Sequence, residues 1–413
     1  MLFSYSLLLL ASLVSSVTVP LHKNAGWVIR DGTELKLEGK RFTTGGANVY
    51  WLGLDENVIP PKGKPFYAPF NASYPTFGRI TEVMNTLNTL GATVLRSQTI
   101  GVSVGNPLSI MPALGHYNEQ AFDTIDWAVY EAGRHGIRIM APLTDNYDYY
   151  HGGKFDFLRF RGFNLTYNSS GDQNPEVMQF YTNRTIINDF KAYIKHIILH
   201  RNKYNGLRYA DDPTIFGYET GNELSGPIFG DKNVPISWTS EIAEFVKQLA
   251  PRKLVIDGTY GINETHLGIE AVDIYSDHFY PRDNIKLEDD ISAVYAANKA
   301  YIIGEYAWNN YNYGNPLPAT TPSLADFLSS IQTAVLSKRA RCTGDLFWSL
   351  FGHDVPNCHQ YVNHTDGFTL QYGNPLNMVE NNTNIATIRQ HLFKLQGRDV
   401  GNSLPSSQCP GPR

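Results

Sequence analysis

Eight short apolar segments alternate along the chain with amphipathic stretches, and this alternation constrains the fold more than any other feature. Apolar runs of four to six residues that repeat between helical patterns are typical of buried parallel strands. The predicted strands are Gly45–Tyr50, Thr93–Arg96, Ile137–Pro142, Ile215–Glu219, Leu254–Asp257, Asp273–Asp277, Tyr301–Glu305 and Asp345–Trp348. The predicted helices are Ile80–Leu90, Glu119–His135, Ile186–Tyr204, Thr239–Leu249, Asp289–Ala300, Ser323–Arg339 and a last one from Thr383 to about Leu395.

Eight strands with intervening helices predict an α/β protein, a (β/α)8 TIM barrel. The link around Glu264–Ala271 has room for a short helix at most. Before the first strand, the segment from Trp27 to Leu37 is typical of a β-hairpin, with Asp31-Gly32 at its turn. Because no linker or repeat interrupts the chain, we expect residues 17–413 to form one domain.

The first residues have the features of a secretion signal. An apolar run from Leu7 is followed by small residues, and Val14 and Ser16 suit the cleavage site of a signal peptide of residues 1–16. The alternative is an uncleaved anchor, although the run is short for a membrane span. Seven Asn-x-Ser/Thr sequons, typical of a secreted glycoprotein, begin at Asn71, Asn164, Asn168, Asn183, Asn263, Asn363 and Asn381.

Three cysteines allow one disulfide bond and one free thiol. A bond between Cys342 and Cys358 would close a short loop after a late strand, and a bond to Cys409 is the alternative. A chain of this length does not need a disulfide bond to fold.

The composition argues against charged partners. The formal net charge is −5, only 18% of residues are charged, and no run of Lys and Arg is present, so nucleic-acid binding is not expected. Aromatic residues make up 13% of the chain. A neutral or weakly charged partner is therefore expected.

Two glutamates each follow an apolar strand, and they point to the chemistry. Glu223 comes just after the fourth predicted strand and Glu305 ends the seventh. Barrel active sites lie at the carboxyl ends of the strands, so both side chains should reach the same rim. Two carboxyl groups that lie close together at one rim are typical of the catalytic pair of a glycosidase.

The residues around these glutamates should complete the site. If the fourth strand stays extended to residue 223, Glu219 points the same way as Glu223 but lies deeper in the barrel. A buried carboxylate needs a cation, and Arg96 at the end of the second strand is the expected partner. His278 and Tyr280 end the sixth strand and Trp348 ends the eighth.

This pattern resembles a known enzyme family. The Asn222-Glu223 pair, His278-x-Tyr280, Glu305 and Trp348 are similar to those of clan A glycoside hydrolases, and to family 5 in particular. The first strand from Gly46 to Trp51 and the loop from Pro142 to Gly153 resemble those of its fungal endo-β-1,4-mannanases. One difference is Leu224, where these enzymes commonly have proline.

The resemblance implies roles for individual residues. Glu223 would be the acid/base and Glu305 the nucleophile of a secreted retaining enzyme that cleaves β-1,4-mannosidic linkages by double displacement. The sugar at the cleavage site would be bound by Arg96, Asn222, His278, Tyr280 and Trp348. The resemblance further implies a monomer that binds a polysaccharide or oligosaccharide, with no cofactor or metal and no membrane contact after signal cleavage. We expect the negative charge of Glu305 to raise the pKa of Glu223, so that Glu223 holds a proton.

Other motifs and functions remain as alternatives. Gly101-Val-Ser103-Val-Gly105 matches the nucleophile motif of serine esterases, but Pro107 follows where a helix should begin. His196 and His200 have the spacing of zinc ligands, without an evident acidic residue nearby. Rival functions on the same barrel are a β-glucanase, an exo-β-mannosidase and a carbohydrate-binding protein without catalysis.

Overall fold

The computed structural model describes residues 26–56, 72–165, 175–226, 234–312, 315–355, 357–364 and 366–410. Eight parallel strands form one sheet in the order β7-β6-β5-β4-β3-β2-β1-β8. They are β1 Gly46–Asn48, β2 Val94–Arg96, β3 Arg138–Pro142, β4 Ile215–Glu219, β5 Leu254–Asp257, β6 Ile274–Phe279, β7 Ala300–Tyr306 and β8 Leu346–Phe347. Parallel bridges from Ile303 to Asp345 and from Ala307 to Trp348 join β7 to β8. The predicted (β/α)8 barrel is therefore confirmed.

Helices cover the outside of the sheet. They are α1 Phe77–Leu90, α2 Phe122–His135, α3 Arg184–Leu199, α4 Ile236–Leu249, α5 Asn284–Ala296, α6 Leu324–Val335 and α7 Val379–Leu395. Shorter helical turns are Gln98–Gly101, Lys154–Arg159, Gln179–Thr182, and the 3-10 turns Glu119–Ala121, Pro175–Met178 and Glu264–His266. The side chains of Thr76, Asp283 and Ser323 cap α1, α5 and α6 by accepting backbone N–H groups.

Several predicted helices have different bounds in the structure. Helices α1, α4 and α7 begin three or four residues before their predicted starts, and the helix predicted to reach Arg339 ends at Val335. The helix predicted to reach Tyr204 ends at Leu199, because Asn202 forms a turn in which its side chain accepts the N–H of Tyr204. The helix predicted over Asp289–Ala300 begins earlier and ends at Ala296. Its end is followed by Asn298, which has a positive φ of 57° and turns the chain into β7.

The protein has an apolar core on each side of the barrel wall. The larger core fills the layer between the sheet and the helices. The smaller core lies inside the barrel and includes Val94, Phe216 and Ile302. Val28 and Leu35 belong to it, and they come from a hairpin of strands Val28–Asp31 and Glu34–Leu37. The predicted hairpin is therefore present, followed by a short third strand, Lys40–Arg41, and it closes the amino-terminal end of the barrel.

Short two-stranded pairs lie in the loops at the carboxyl-terminal end of the barrel. They are Tyr311–Asn312 with Asn315–Pro316, Leu350–Phe351 with Leu370–Gln371, and His353–Asp354 with Asn357–Tyr361. In the part of the chain that is described, none of the helices combines the length and apolar character needed to cross a bilayer. The predicted signal segment lies outside the described residues, as do the sequon asparagines Asn71 and Asn168. Asn164 and Asn363 are exposed, and Asn183, Asn263 and Asn381 are partly exposed.

The preferred disulfide prediction is wrong. Cys358 is bonded to Cys409, with a Cα–Cα distance of 6.0 Å and a sequence separation of 51. Cys342 is free and buried just before β8, and burial raises the pKa of its thiol to about 12. The bond connects the carboxyl-terminal segment to the loop after β8. The spacing of the cysteines in the sequence does not reveal this contact between distant parts of the chain.

Removing this bond should lower stability while leaving the fold intact. A Cys358→Ser/Cys409→Ser double variant is expected to lose about 2–4 kcal/mol of unfolding free energy, because the unfolded chain is no longer cross-linked. Thiol titration provides the check. The native, oxidised protein should show no reactive thiol because Cys342 is buried, and the unfolded, oxidised protein should show one. Three thiols in the unfolded, unreduced protein would contradict this pairing.

Candidate active site

Arg96 organises the carboxyl ends of four strands. It is the last residue of β2 and is completely buried. Its Nε donates to Glu219 Oε2 (2.8 Å), and its Nη1 donates to Glu305 Oε1 (2.7 Å) and to Asn48 Oδ1 (3.1 Å). The predicted pairing of Arg96 with Glu219 is therefore present. Its Nη2 also donates to Asn222 Oδ1 (2.8 Å), so one guanidinium group fixes four polar side chains.

Glu305 lies on β7 and points into the same centre. Besides Arg96 on Oε1, it accepts the hydroxyl of Tyr280 on Oε2 at 2.9 Å. Gln98 Nε2 lies 3.5 Å from Oε1. Burial raises the pKa of Glu305 to about 7; the negative charge of Glu223 adds to this shift, and His278 and Arg96 oppose it. Both oxygens of this carboxyl group are thus held by donors.

Glu223 reaches the centre by a different route from the one expected. Strand β4 ends at Glu219, and Glu223 has a φ of +49°, so the chain is not extended to residue 223. Bridges hold the residues on either side, Asn222 to Asp145 and Leu224 to Thr259. A glutamate in the left-handed region is strained, and such strain persists only where the surrounding structure imposes it. The left-handed turn places the side chain at the mouth of the barrel.

The pKa of Glu223 also differs from the one expected from the sequence. Glu223 Oε1 lies 2.6 Å from His278 Nδ1, and Glu223 Oε2 accepts the hydroxyl of Tyr147. Burial alone would raise the pKa of Glu223, but the hydrogen bonds and charge of His278, together with Tyr147, lower it. Burial likewise opposes charge on His278, yet the carboxylates of Glu305 and Glu223 raise its pKa. The expected rise in the pKa of Glu223 is therefore wrong for the free protein.

The two glutamates are close together. One ligand atom from each of Glu223, His278 and Glu305 can be chosen so that all three lie within 4.8 Å of one another. His278 Nδ1 is 3.6 Å from Glu305 Oε2, so the imidazole bridges the two carboxyl groups. Carboxyl groups about 5–5.5 Å apart are typical of retaining glycosidases, whereas inverting enzymes need roughly 6.5–9.5 Å. An oxygen of Glu223 and an oxygen of Glu305 within 4.8 Å of each other agree with the shorter class.

An aromatic wall stands beside this centre. The half-buried indole of Trp348 stacks on the ring of Tyr50, with centroids 5.0 Å apart and planes 4° from parallel. Trp348 Nε1 donates to Asp366 Oδ2 (3.0 Å), and the hydroxyl of Tyr50 bonds to His364 Nε2 (2.8 Å). Because Trp348 pairs with Ala307, two residues beyond Glu305, this flat surface lies next to the carboxyl pair.

All seven predicted site residues thus lie at the carboxyl ends of the strands: Arg96, Asn222, Glu223, His278, Tyr280, Glu305 and Trp348. Sequence analysis missed Tyr147 and Gln98, which contact the two glutamates directly. Gln98 lies two residues after Arg96, and this spacing was an available signal. Tyr147 lies in a tyrosine-rich loop after β3, where no single tyrosine stands out.

The esterase motif has the wrong surroundings for a nucleophile. Ser103 follows a short helix instead of a strand, and turns and isolated bridges continue from it to His116. Its side chain is buried, and its Oγ accepts the N–H of Ile110 at 2.9 Å. Ser103 therefore fixes a loop.

The histidine pair has acidic neighbours, contrary to the sequence prediction. His196 Nε2 lies 3.0 Å from Glu119 Oε1, and His200 Nε2 lies 3.0 Å from Asp126 Oδ1. Each imidazole also stacks on an aromatic ring, at a centroid distance of 3.6 Å in both cases. Glu119 Oε2 also lies 3.9 Å from His200 Nδ1, but each histidine has a different carboxylate at hydrogen-bond distance. Hydrogen-bonded, stacked imidazoles are typical of histidines that stabilise packing.

A metal could in principle be held by Glu223, His278 and Glu305. The donor set argues against this use, because Arg96 already places a positive charge 2.7 Å from Glu305 and Tyr280 donates to its other oxygen. A second group, Glu82, His353 and Cys409, includes a cysteine that is already in the disulfide bond. The expectation of a site without metal stays a prediction.

Residues 25–286 match the family described as GH family 5 beta-mannosidase-like, so the match includes β1 to β6 and the turn with Glu223. The chain belongs to this family. Family 5 membership agrees with the resemblance seen in the sequence.

Relatives and solved structures agree with this assignment. The chain is 29% identical over 280 residues to mannan endo-1,4-beta-mannosidase 2 of Oryza sativa subsp. japonica, covering 65% of this chain but 57% of that protein. It is 25% identical over 394 residues to mannan endo-1,4-beta-mannosidase 1 of the same plant, covering 84% and 82%. The endo-1,4-beta-mannanase structure from Rhizomucor miehei shares the fold, with a TM-score of 0.65, 21% identity, and coverage of 90% of this chain and 100% of that one.

Proposed function

We propose that this family 5 protein is a retaining glycoside hydrolase that cleaves β-1,4-mannosidic linkages in mannan-type polysaccharides. The observation that carries the proposal is the close pair of Glu223 and Glu305, each held by its own donors. Support for mannosides comes from the family and from relatives named as mannan endo-1,4-beta-mannosidases. We assign the acid/base to Glu223 and the nucleophile to Glu305.

In the first step, an ionised oxygen of Glu305 attacks the anomeric carbon. The bond from that carbon to the leaving oxygen breaks, and Glu223 gives the leaving oxygen a proton. Arg96 keeps Glu305 oriented through Oε1, and Tyr280 does so through Oε2. These donors favour the ionised form of Glu305 and hold it in one orientation, and this is the form that attacks.

The proton for this step can come from His278. Its Nδ1 lies 2.6 Å from Glu223 Oε1, within direct transfer distance, and the two carboxylates raise its pKa. A proton on this imidazole therefore passes to Glu223 and from there to the leaving oxygen. Glu223, His278 and Glu305 titrate as one coupled set. The lowered pKa of Glu223 in the free protein therefore agrees with an acid role, because His278 holds the proton that Glu223 passes on.

In the second step, Glu223 removes a proton from a water molecule that attacks the anomeric carbon. The bond between this carbon and Glu305 breaks, and the carboxylate returns to Arg96 and Tyr280. Two displacements at one carbon restore its original configuration. Asn222, fixed by Arg96, and the flat face of Trp348 would bind the sugar during both steps.

The substrate assignment is tested by a hydrolysis screen. Purified protein is incubated with mannan, glucomannan, cellulose, laminarin and xylan, and the product sizes are recorded. We expect oligosaccharides of mixed length from mannan and glucomannan. Release of mannose alone would identify an exo-β-mannosidase, and activity confined to cellulose or laminarin would identify a β-glucanase. Binding of mannan without new reducing ends would identify a carbohydrate-binding barrel.

We further propose that the protein is secreted and N-glycosylated. The apolar start of the chain and the exposed sequon asparagines Asn164 and Asn363 support this. Expression in a eukaryotic host, followed by amino-terminal sequencing and glycosidase treatment, checks both points. We expect the secreted chain to begin at about Val17 and to lose mass when its glycans are removed.

A further inference from the structure

Tyr147 contacts Glu223 on the oxygen that His278 leaves open. Its hydroxyl donates to Oε2, while His278 engages Oε1. We propose that Tyr147 is a positioning residue that holds Glu223 and tunes its acidity through this hydroxyl, an inference that rests on the proposed function. It adds to the site a residue from the loop after β3, outside the strands that carry the two glutamates.

The contact is built into the backbone of two neighbouring loops. Asn146 donates its N–H to the carbonyl of Asn222 at 2.9 Å, and Asp145 pairs with Asn222 in a parallel bridge. The Asp145 carboxylate then accepts both the side-chain amide of Asn222 (3.1 Å) and the N–H of Tyr147 (3.0 Å). Tyr147 is thereby held in register with the residue before Glu223.

This connection also bears on the strained turn. Glu223 has a left-handed backbone, and a glutamate adopts it only under constraint. The bridge to the β3 loop constrains the turn from one side, and the Tyr147 hydroxyl then fixes the end of the side chain. Backbone and side chain of Glu223 are therefore positioned by the same loop.

The hydroxyl contributes most when Glu223 is ionised. When Glu223 gives its proton to the leaving oxygen, negative charge develops on its carboxyl group, and the O–H of Tyr147 already points at Oε2. When Glu223 later takes a proton from water, that charge is removed again. Tyr147 keeps its own proton throughout, because burial and the neighbouring Glu223 raise the pKa of its hydroxyl.

Several charged or titratable groups besides Tyr147 also surround Glu223. The charged or titratable side chains that face it come from several elements: Arg96, Tyr147, Tyr260, His278 and Glu305. Arg96 and His278 favour the carboxylate, and Glu305 disfavours it. Removing the Tyr147 hydroxyl leaves these groups in place, so the change it causes can be measured by itself.

The test compares the pH dependence of wild type and Tyr147→Phe. Without the hydroxyl, the pKa of the proton-donating set rises, and the basic limb of the kcat/KM profile on mannohexaose should move up by about one pH unit. The acidic limb, which reports Glu305, should stay in place. At the optimum, kcat/KM on this substrate should fall about tenfold, because a weaker acid protonates the leaving oxygen less well. With 2,4-dinitrophenyl β-mannoside, whose leaving group needs no proton, the rate of glycosyl transfer to Glu305 should change little.

Controls separate this role from simple packing. Tyr149→Phe removes a hydroxyl from the same loop, at a ring 5.2 Å from that of Tyr147, and should leave both limbs in place. Incorporation of 3-fluorotyrosine at position 147 strengthens the donor and should move the basic limb to lower pH. An unshifted basic limb in Tyr147→Phe, or equal losses on both substrates, would overturn the inference while leaving the proposed function intact. A wild-type protein that hydrolyses neither substrate would overturn the proposed function as well.

Discussion

Replacing Glu305 by glutamine should reduce kcat on β-1,4-mannooligosaccharides by about 10⁴-fold or more, because no nucleophile remains to form the glycosyl–enzyme. The fold should survive. Burial raises the pKa of Glu305 to about 7, which shows that the charge is costly where it lies, and a neutral amide of the same shape removes that cost. We therefore expect an unchanged or higher thermal midpoint beside the lost activity.

The paired variants Glu305→Ala and Glu223→Ala distinguish the two roles. With an activated aryl mannoside and added azide, Glu305→Ala should give the α-mannosyl azide, because azide enters from the face that the nucleophile vacated. Glu223→Ala should give the β-mannosyl azide from a glycosyl–enzyme that still forms on Glu305. The opposite pattern would exchange the two assignments, and near-normal turnover in either variant would show that its glutamate is not catalytic.

Replacing Arg96 by methionine should destabilise the protein by about 3–5 kcal/mol at neutral pH, since two buried carboxylates lose their cation. Arg96 is completely buried and contacts Glu219 at 2.7 Å and Glu305 at 2.7 Å. The deficit should depend on pH. Without Arg96 the folded-state pKa of Glu305 lies further above its unfolded value, so the variant loses stability as the pH rises from about 4.5 toward 7 and beyond.

Urea titrations at pH 5 and pH 7 measure this effect. The deficit of Arg96→Met should be larger at pH 7 than at pH 5. Arg184→Met is the matched control, because the Arg184 side chain is 63% exposed in its pair with Glu241, and water and salt screen such exposed pairs. Equal deficits for the two variants would show that Arg96 does not neutralise the buried carboxylates.

The sequence predicts the strands well because their patterns are local. The bounds Ile215–Glu219 and Leu254–Asp257 agree with β4 and β5 residue for residue, since each is an apolar run followed by polar residues. The Arg96–Glu219 pair could also be predicted, because a buried charge needs a partner and few cations lie at the barrel mouth. These two inferences need only the hydrophobic pattern of a buried strand and the free-energy cost of burying a charged side chain.

The rest of the site depends on contacts between distant segments. The left-handed turn at Glu223 is imposed by bridges to the loops after β3 and β5, and a glutamate carries no local signal for a positive φ. The contact of Tyr147 with Glu223 and the bond between Cys358 and Cys409 are equally nonlocal. The shared protonation of Glu223, His278 and Glu305 is nonlocal as well, because His278 Nδ1 lies 2.6 Å from Glu223 and 3.6 Å from Glu305.

The stereochemistry of hydrolysis tests the double displacement most directly. Mannohexaose is cleaved with enough enzyme to outpace mutarotation, and the anomeric protons of the first products are followed by NMR. Retention, the outcome expected from carboxyl oxygens within 4.8 Å of each other, gives the β-anomer first and the α-anomer only as the product equilibrates. Initial appearance of the α-anomer would show inversion and would contradict the assignment of Glu305 as a nucleophile.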